Sequence, residues 1–271
     1  MNKTINLFDL DFISAPNQTK VLDQIINAKS FTNQEDKIPF LITPNADQIV
    51  KLAQVEHQAL KKKLSKASFI LPDGQPIIWF SKLIGKPLQA RLAGSDLFPQ
   101  VWQRAKEKQQ KIFLVVSNET LGQKLKQDYA NIEYYVPPMF DLHTASFNET
   151  YQEILNQIKE FKPKYLIIGV GFPKQEWLGL FIHKTLKQQN IQSPLILCLG
   201  ASAEFYLGIK KRAPMFLQKL GLEWLHRLVT EPRRMWKRYI LGSFSLLVLF
   251  SKEWKKQISQ KTTTNGELTH E

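Results

Sequence analysis

Cysteine is almost missing from this chain of 271 residues: Cys198 stands alone. One thiol excludes an internal disulfide and any cysteine-rich zinc site. Histidine is scarce as well. His57, His143, His183, His226 and His270 stand apart without ligand spacing, so no metal site is expected. Neither a Gly-x-Gly-x-x-Gly fingerprint nor a P-loop is present, which removes the usual dinucleotide and P-loop nucleotide readings. No uncharged apolar run reaches the roughly 20 residues of a spanning helix. The opening MNKTINLFDLDF carries Asp9 and Asp11 and has no apolar core of a signal peptide. A cytosolic location is expected. Twelve glycines and fourteen prolines are ordinary, so collagen-like and low-complexity classes fall away.

What the chain does have is apolar mass and positive charge. Hydrophobic residues make up 43% and aromatics 11%, enough for a buried core. There are 37 Lys and Arg against 24 Asp and Glu, for a net charge of +13. Such a surplus suits a polyanionic partner: nucleic acid, anionic lipid or a phosphorylated substrate. Its location is uneven. Residues 210–256 hold twelve Lys and Arg against three acids, a surplus of nine that leaves four for the remainder.

Between residues 38 and 200 short apolar runs alternate with helical patterns. Strands are expected at 39–43 (PFLIT), 68–71 (SFIL), 111–116 (KIFLVV), 133–136, 165–170 (YLIIGV) and 195–199 (LILCL). Helices are expected at 46–64, with one break, and at 76–84, 96–108, 119–129, 147–161 and 174–189. In the 147–161 segment Tyr151, Ile154, Leu155, Ile158 and Phe161 form one stripe. Uninterrupted apolar strands separated by helices predict an α/β fold, a Rossmann-like parallel sheet sandwiched by helices. Ligands of such sheets bind at the carboxyl ends of the strands. Thr43-Pro44-Asn45, Asp73-Gly74, Ser117-Asn118, Gly171-Phe172-Pro173 and Gly200-Ala201-Ser202 all follow strands. Cys198, inside a strand, reads as an inert core residue.

Several of these turns have two readings. Asp73 is either a turn residue, as Asp-Gly often is, or a carboxylate placed to take a proton from an attacking hydroxyl. Thr43 and Asn45 either cap the next helix or bind a sugar or phosphate. Arg91, beside a glycine turn, suits a phosphate clamp, and Ser95 a helix cap. Gln175 and Glu176 open a helix whose free N–H groups face an anion site.

From Pro214 onward strands stop. Residues 216–229 and 232–250 read as helices. Residues 239–250 (YILGSFSLLVLF) carry no charge and are flanked by Arg233, Arg234, Lys237 and Arg238 before and Lys252, Lys255 and Lys256 after. Twelve residues span only about 18 Å as a helix. Basic residues beside an apolar face describe an interfacial helix, each adding about 1 kcal/mol near an anionic leaflet. The chain therefore divides into a Rossmann-like core at 1–209, a basic amphipathic helical appendage at 210–256 expected to bind membrane, and a tail at 257–271 expected to be disordered.

The ordered set of motifs resembles one family. It comprises Thr43-Pro44-Asn45, Pro72-Asp73-Gly74, Arg91-Leu92-Ala93-Gly94-Ser95-Asp96 and Gly171-Phe172-Pro173-Lys174-Gln175-Glu176. It continues with Lys211-Arg212-Ala213-Pro214, residues 220–228 (LGLEWLHRL), Glu231-Pro232-Arg233-Arg234 and Arg238-Tyr239. The series is similar to the WecG/TagA/CpsF glycosyltransferases. That resemblance implies a metal-independent, inverting enzyme without a cofactor, attached peripherally to the inner face of the plasma membrane. It implies transfer of a sugar, N-acetylmannosamine or a related hexose, from a UDP-sugar to an undecaprenyl-diphosphate-linked acceptor. The products of such enzymes enter teichoic acid, capsule or exopolysaccharide. It casts Asp73 as general base. Thr43, Asn45, Arg91 and Gln175 would line the pocket, and Arg227 and Arg234 would reach the diphosphate. Lys237, next to Arg238, supplies a third cationic position, with charge but no bidentate fork. Ala203-Glu204 stands where the family usually carries Phe-Asp, a departure that suits another donor. UDP-glucose, UDP-galactose and UDP-N-acetylmannosaminuronic acid are the alternatives. Self-association is also implied. A non-catalytic nucleic-acid-binding module is the remaining class; Trp224, Trp236, Tyr239 and Phe244 sit among aliphatics rather than forming a stacking platform, so no nucleic-acid partner is expected.

Overall fold

The computed structural model describes residues 3–27, 37–142, 144–214, 217, 228–229 and 244–259. Six strands form one parallel sheet: β3 (Ile38–Ile42), β4 (Ala67–Ile70), β5 (Ile112–Val115), β6 (Ile132–Tyr135), β7 (Tyr165–Ile168) and β8 (Leu195–Cys198). Their order across the sheet is β4-β3-β8-β7-β5-β6. β3 and β5 therefore start runs that proceed to opposite edges, and β7 and β8 fill the gap between them. This α/β sandwich agrees with the fold read from the sequence.

The four inner strands, β3, β8, β7 and β5, are buried on both faces, which is why they read as unbroken apolar runs. Alternation sends successive side chains to opposite layers. In β8, Ile196 and Cys198 join one core, and Leu195 and Leu197 join the other. The first layer is covered by α2 (Ala46–Leu52), α3 (Gln58–Leu64), α4 (Gln75–Leu83), α7 (Ala145–Phe161) and α8 (Lys174–Gln188). The second is covered by α1 (Gln18–Asn27), α5 (Gly94–Glu107), α6 (Glu119–Asp128) and α9 (Ser202–Tyr206). Each fully buried Leu, Ile or Phe contributes about 1.5–3 kcal/mol of transfer free energy. Trp102 of α5 is wholly enclosed, and its indole N–H donates to Asp128 Oδ2 at 2.6 Å, so its polar atom is satisfied.

The break expected within 46–64 is a 3₁₀ turn at Val55–His57 between α2 and α3. Two local findings modify the sequence reading. Ser95 lies inside α5 and not at its cap, because that helix begins at Gly94 after Ala93, with no side-chain cap. Before the sheet lies an antiparallel hairpin of β1 (Lys3–Leu7) and β2 (Leu10–Ser14). Its two-residue turn has Phe8 at φ 56° and Asp9 at φ 59°, both left-handed as a tight hairpin needs.

Residues 244–259 are helical, so 257–259, assigned above to the tail, form the last turn of this helix. Phe250 stacks on Phe80 of α4 with centroids 4.0 Å apart and on Phe8 at 5.7 Å. Asp9 receives Lys61 at 2.7 Å and pairs with Lys256, which ties the segment to the hairpin. Both lysines hold the Asp9 carboxyl below its ordinary value, with Lys256 the stronger influence. No helix among the described residues is long and apolar enough to cross a membrane. The remainder of the expected helices at 216–229 and 232–250 lies outside the described residues.

Candidate functional site

The turns that leave the carboxyl ends of β3, β4, β7 and β8 lie along one edge of the sheet. β3 and β4 are neighbours, and the Asp73 N–H donates to the Pro44 carbonyl at 3.2 Å. That bond sets the Asp73 turn against Thr43-Pro44-Asn45. Gly74 follows at φ 149°, a conformation side chains rarely adopt, and α4 begins immediately after it. Asp73 itself is half-buried.

A loop crosses this edge. The Leu92 N–H donates to the Pro72 carbonyl at 2.8 Å, drawing residues 91–94 over the β4 turn. Gly94 then meets Thr43 and the start of α9. A Cβ there would sit 3.0 Å from Thr43 Oγ1 and 3.3 Å from Ser202 Oγ. Glycine allows that close approach. Arg91 Nη2 reaches Asp96 Oδ2 at 3.2 Å, and Arg212 Nη1 reaches Asp96 Oδ1 at 2.5 Å. One carboxylate thus holds two guanidinium groups at the edge, both partly exposed. Thr43, Asn45, Asp73 and Arg91 belong to one assembly of turns.

Asn45 also caps α2. Its Oδ1 accepts from the Gln48 N–H at 3.1 Å, and Gln48 Oε1 accepts from the Asn45 N–H at 3.0 Å. This capping box is the structural reading of Asn45 given above. It commits Oδ1 and fixes the turn beside Asp73.

Gln175 sits differently. It is 2% exposed, at the start of α8. Its Nε2 donates to Glu176 Oε1 at 2.8 Å, and its Oε1 accepts from the Gly200 N–H at 3.2 Å. The side chain therefore spans from β7 to β8 beneath the surface and holds the Gly200 turn. Gly169 abuts that turn: a Cβ there would lie 2.9 Å from the Gly200 carbonyl oxygen. Glu176 is fully buried, its Oε2 has no hydrogen-bond partner, and burial pushes its carboxyl up to about 7. The Cys198 thiol next to it is pushed well up by burial and by the Glu176 charge, so it stays neutral and inert.

Further along, an apolar recess at the ends of β5, β7 and β8 is lined by Val116, Ile167, Leu199, Ala203 and Glu204. Glu204 is held by Ser117 Oγ at 2.9 Å and Lys210 Nζ at 2.5 Å. The larger acid of this chain is thus already paired on both oxygens. Arg91, Gln175, Glu176 and Glu204 were singled out from the sequence, but not the contacts they make: the Asp96 bridge from Arg91 to Arg212, the bond between Gln175 and Glu176, and the hold of Ser117 and Lys210 on Glu204. Asp96 and Arg212 are 116 residues apart, and no local pattern links them.

Arg227, Arg234, Lys237 and Arg238 lie outside the described residues. The chain's Asp-x-Asp, Asp9-Leu10-Asp11, is on the hairpin, where lysines engage both acids: Lys61 and Lys256 at Asp9, Lys37 at Asp11. Among the described residues, no three His, Cys, Asp or Glu side chains gather as metal ligands would.

The family model described as "Glycosyl transferase WecG/TagA/CpsF family" matches residues 5–260. A Staphylococcus aureus (strain MRSA252) protein is 30% identical over 252 residues, covering 91% of this chain and 90% of its own. A Bacillus spizizenii protein is 33% identical over 215 residues, covering 76% of each chain. Both relatives are named N-acetylglucosaminyldiphosphoundecaprenol N-acetyl-beta-D-mannosaminyltransferase.

Proposed function

The chain belongs to the WecG/TagA/CpsF glycosyltransferase family, and from that premise we propose that it transfers N-acetylmannosamine from a UDP-sugar to N-acetylglucosaminyl-diphospho-undecaprenol. The acceptor is that of the relatives' names, and the donor follows from the transferred sugar. Enzymes of this kind build cell-wall polymers.

The observation that carries the reading is the Asp73 turn. It stands between the Thr43 turn and the 91–94 loop, at the sheet edge where such folds bind ligands. In the proposed reaction the Asp73 carboxylate accepts the proton of the acceptor hydroxyl. The oxygen attacks the anomeric carbon from the face opposite UDP, and the C–O bond to the diphosphate breaks with inversion. General-base help of this kind is worth about 10²–10⁴-fold. The charge that develops on UDP is met by cationic side chains in place of a metal: the guanidinium of Arg91 in the core, with those of Arg227, Arg234 and Arg238 and the ammonium of Lys237 from the appendage. Thr43 and Asn45 line the pocket from β3. Gln175 contributes from below, through the Gly200 turn. The enzyme works peripherally on the inner face of the membrane, where the lipid diphosphate is exposed.

The test is a donor screen with the full chain. UDP-N-acetylmannosamine, UDP-glucose, UDP-galactose and UDP-N-acetylmannosaminuronic acid are each offered with a short-chain polyprenyl-diphosphate N-acetylglucosamine acceptor, with and without EDTA. The expected product comes from UDP-N-acetylmannosamine at an unchanged rate in EDTA. Preference for another donor overturns the sugar assignment, and a strict divalent requirement overturns the guanidinium mechanism.

A further inference from the structure

Helix α4 starts directly after the Asp73-Gly74 turn, and one of its faces is left uncovered by the described residues. Trp79 is 50% exposed and Leu83 65% exposed. They are four residues apart and so lie on the same side of the helix. Phe80, on the adjoining side, turns inward and stacks on Phe250 with an 11° angle between rings. That stack sets α4 beside the 244–259 helix. Phe244, Leu247, Trp254 and Ile258 of that helix are all exposed. Their spacing of three, seven and four puts them in one stripe, next to the side that carries Phe250.

Single exposed apolar residues are common, but two large apolar stripes joined by an aromatic stack are not. The charges around them are mostly positive, and the exposed acid beside them, Asp9, is paired with Lys61 and Lys256. Lys82, Lys252 and Lys255 are exposed. α4 contains no acid, and the one acid of residues 244–259, Glu253, is 5% exposed with its Oε1 bonded to Gln257 Nε2 at 2.7 Å. Trp, Phe and Leu with a surplus of lysines, and with the nearby acids engaged by the protein's own side chains, match an anionic lipid surface, where apolar side chains enter the headgroup layer and lysines meet phosphate.

We propose that α4 and the 244–259 helix together form the face that rests on an anionic bilayer, with Trp79 and Leu83 of the catalytic core entering the headgroup layer. The inference rests on the peripheral attachment proposed above and deepens it. Contact is made by the core as well as by the appendage, and the core element concerned is the helix that leaves the Asp73 turn. Seating α4 on the bilayer carries that turn toward the level of the lipid diphosphates.

The experiment uses the full chain with Leu83→Cys carrying a polarity-sensitive thiol dye. The other cysteine, Cys198, is 2% exposed and stays unlabelled. Vesicles of phosphatidylcholine with phosphatidylglycerol are compared with phosphatidylcholine alone. A blue shift of the dye with the anionic vesicles, much weaker with neutral ones, is expected. As a second variant, Trp79→Ser with Leu83→Ser should lower co-sedimentation about tenfold or more, at an unchanged melting temperature. Full pelleting with an unshifted dye overturns the proposal and leaves attachment through the appendage standing. Failure of the parent chain to bind anionic vesicles overturns both readings. A dye shift that follows protein concentration without vesicles assigns the face to self-association and overturns the lipid assignment.

Discussion

Two turns at the same sheet edge, one after β4 and one after β7, put polar residues to opposite uses. After β4 the chain leaves Asp73 half-buried, its backbone N–H bonded to the Pro44 carbonyl. After β7 it sinks Gln175 and Glu176 out of solvent and spends both polar ends of Gln175 on the protein itself. The difference lies in what covers each turn. The β4 turn is at the sheet margin, crossed by the 91–94 loop. The β7 turn lies next to the centre, with β8 and its Gly200 turn against it. A polar side chain at the margin is placed to meet a ligand. At the centre it must satisfy buried backbone, because an unpaired N–H there costs about 1–3 kcal/mol.

The strongest way to break this contrast is Asp73→Asn. The change keeps size and removes the basic oxygen. Turnover should fall by about 10²–10⁴-fold with folding intact. Near-parental turnover, measured with the preferred donor, would take Asp73 out of the base role. Gln175→Ala tests the other turn. It strands the Gly200 N–H and opens a small void, so stability should drop by about 2–4 kcal/mol in denaturant melts. An unchanged melt with a raised donor KM would instead make Gln175 a direct ligand contact, and the two turns would then be alike.

The contrast also marks what the sequence could say. The four inner strands were legible because strands buried on both faces read as unbroken apolar runs. The strand-end residues were legible for the same reason: once KIFLVV and YLIIGV are strands, the polar residues that follow are at the ligand edge. Their degree of burial was not legible. Asp73 and Gln175 carry equally plausible local contexts, and only the neighbouring strand order decides which is covered. The β1–β2 hairpin was invisible because Phe8-Asp9 is not the Asn-Gly or Asp-Gly that such a turn usually shows. Its bulky left-handed Phe8 is tolerated where the ring packs on Phe80 and Phe250. Those contacts come from residues 72 and 242 positions away in sequence, beyond any local signal. The Asp96 bridge is hidden likewise. Asp96 looks like an ordinary first-turn acid of α5 until Arg212 arrives from the far end of the core.

The smallest expected effect concerns Glu176, and its sign is informative. Burial pushes this carboxyl up to about 7, from an ordinary value of 4.5. The folded protein therefore keeps a proton that the unfolded chain releases, and stability falls as pH rises between those values. His183 opposes this at lower pH. Burial, with Lys187 nearby, lowers it to about 4 from 6.5, so its contribution grows as pH rises through that range. Glu176→Gln separates the two, since His183 is common to parent and variant. Gln keeps an oxygen to accept from Gln175 and carries no charge to desolvate. Parent and variant should melt alike at pH 5. At pH 8 the variant should be the more stable, by no more than about 3 kcal/mol. A variant that is instead less stable at pH 8 would mean that the ionised carboxylate has a cationic partner there. The β7 turn would then be a charged site like the β4 turn, and burial alone would no longer divide them.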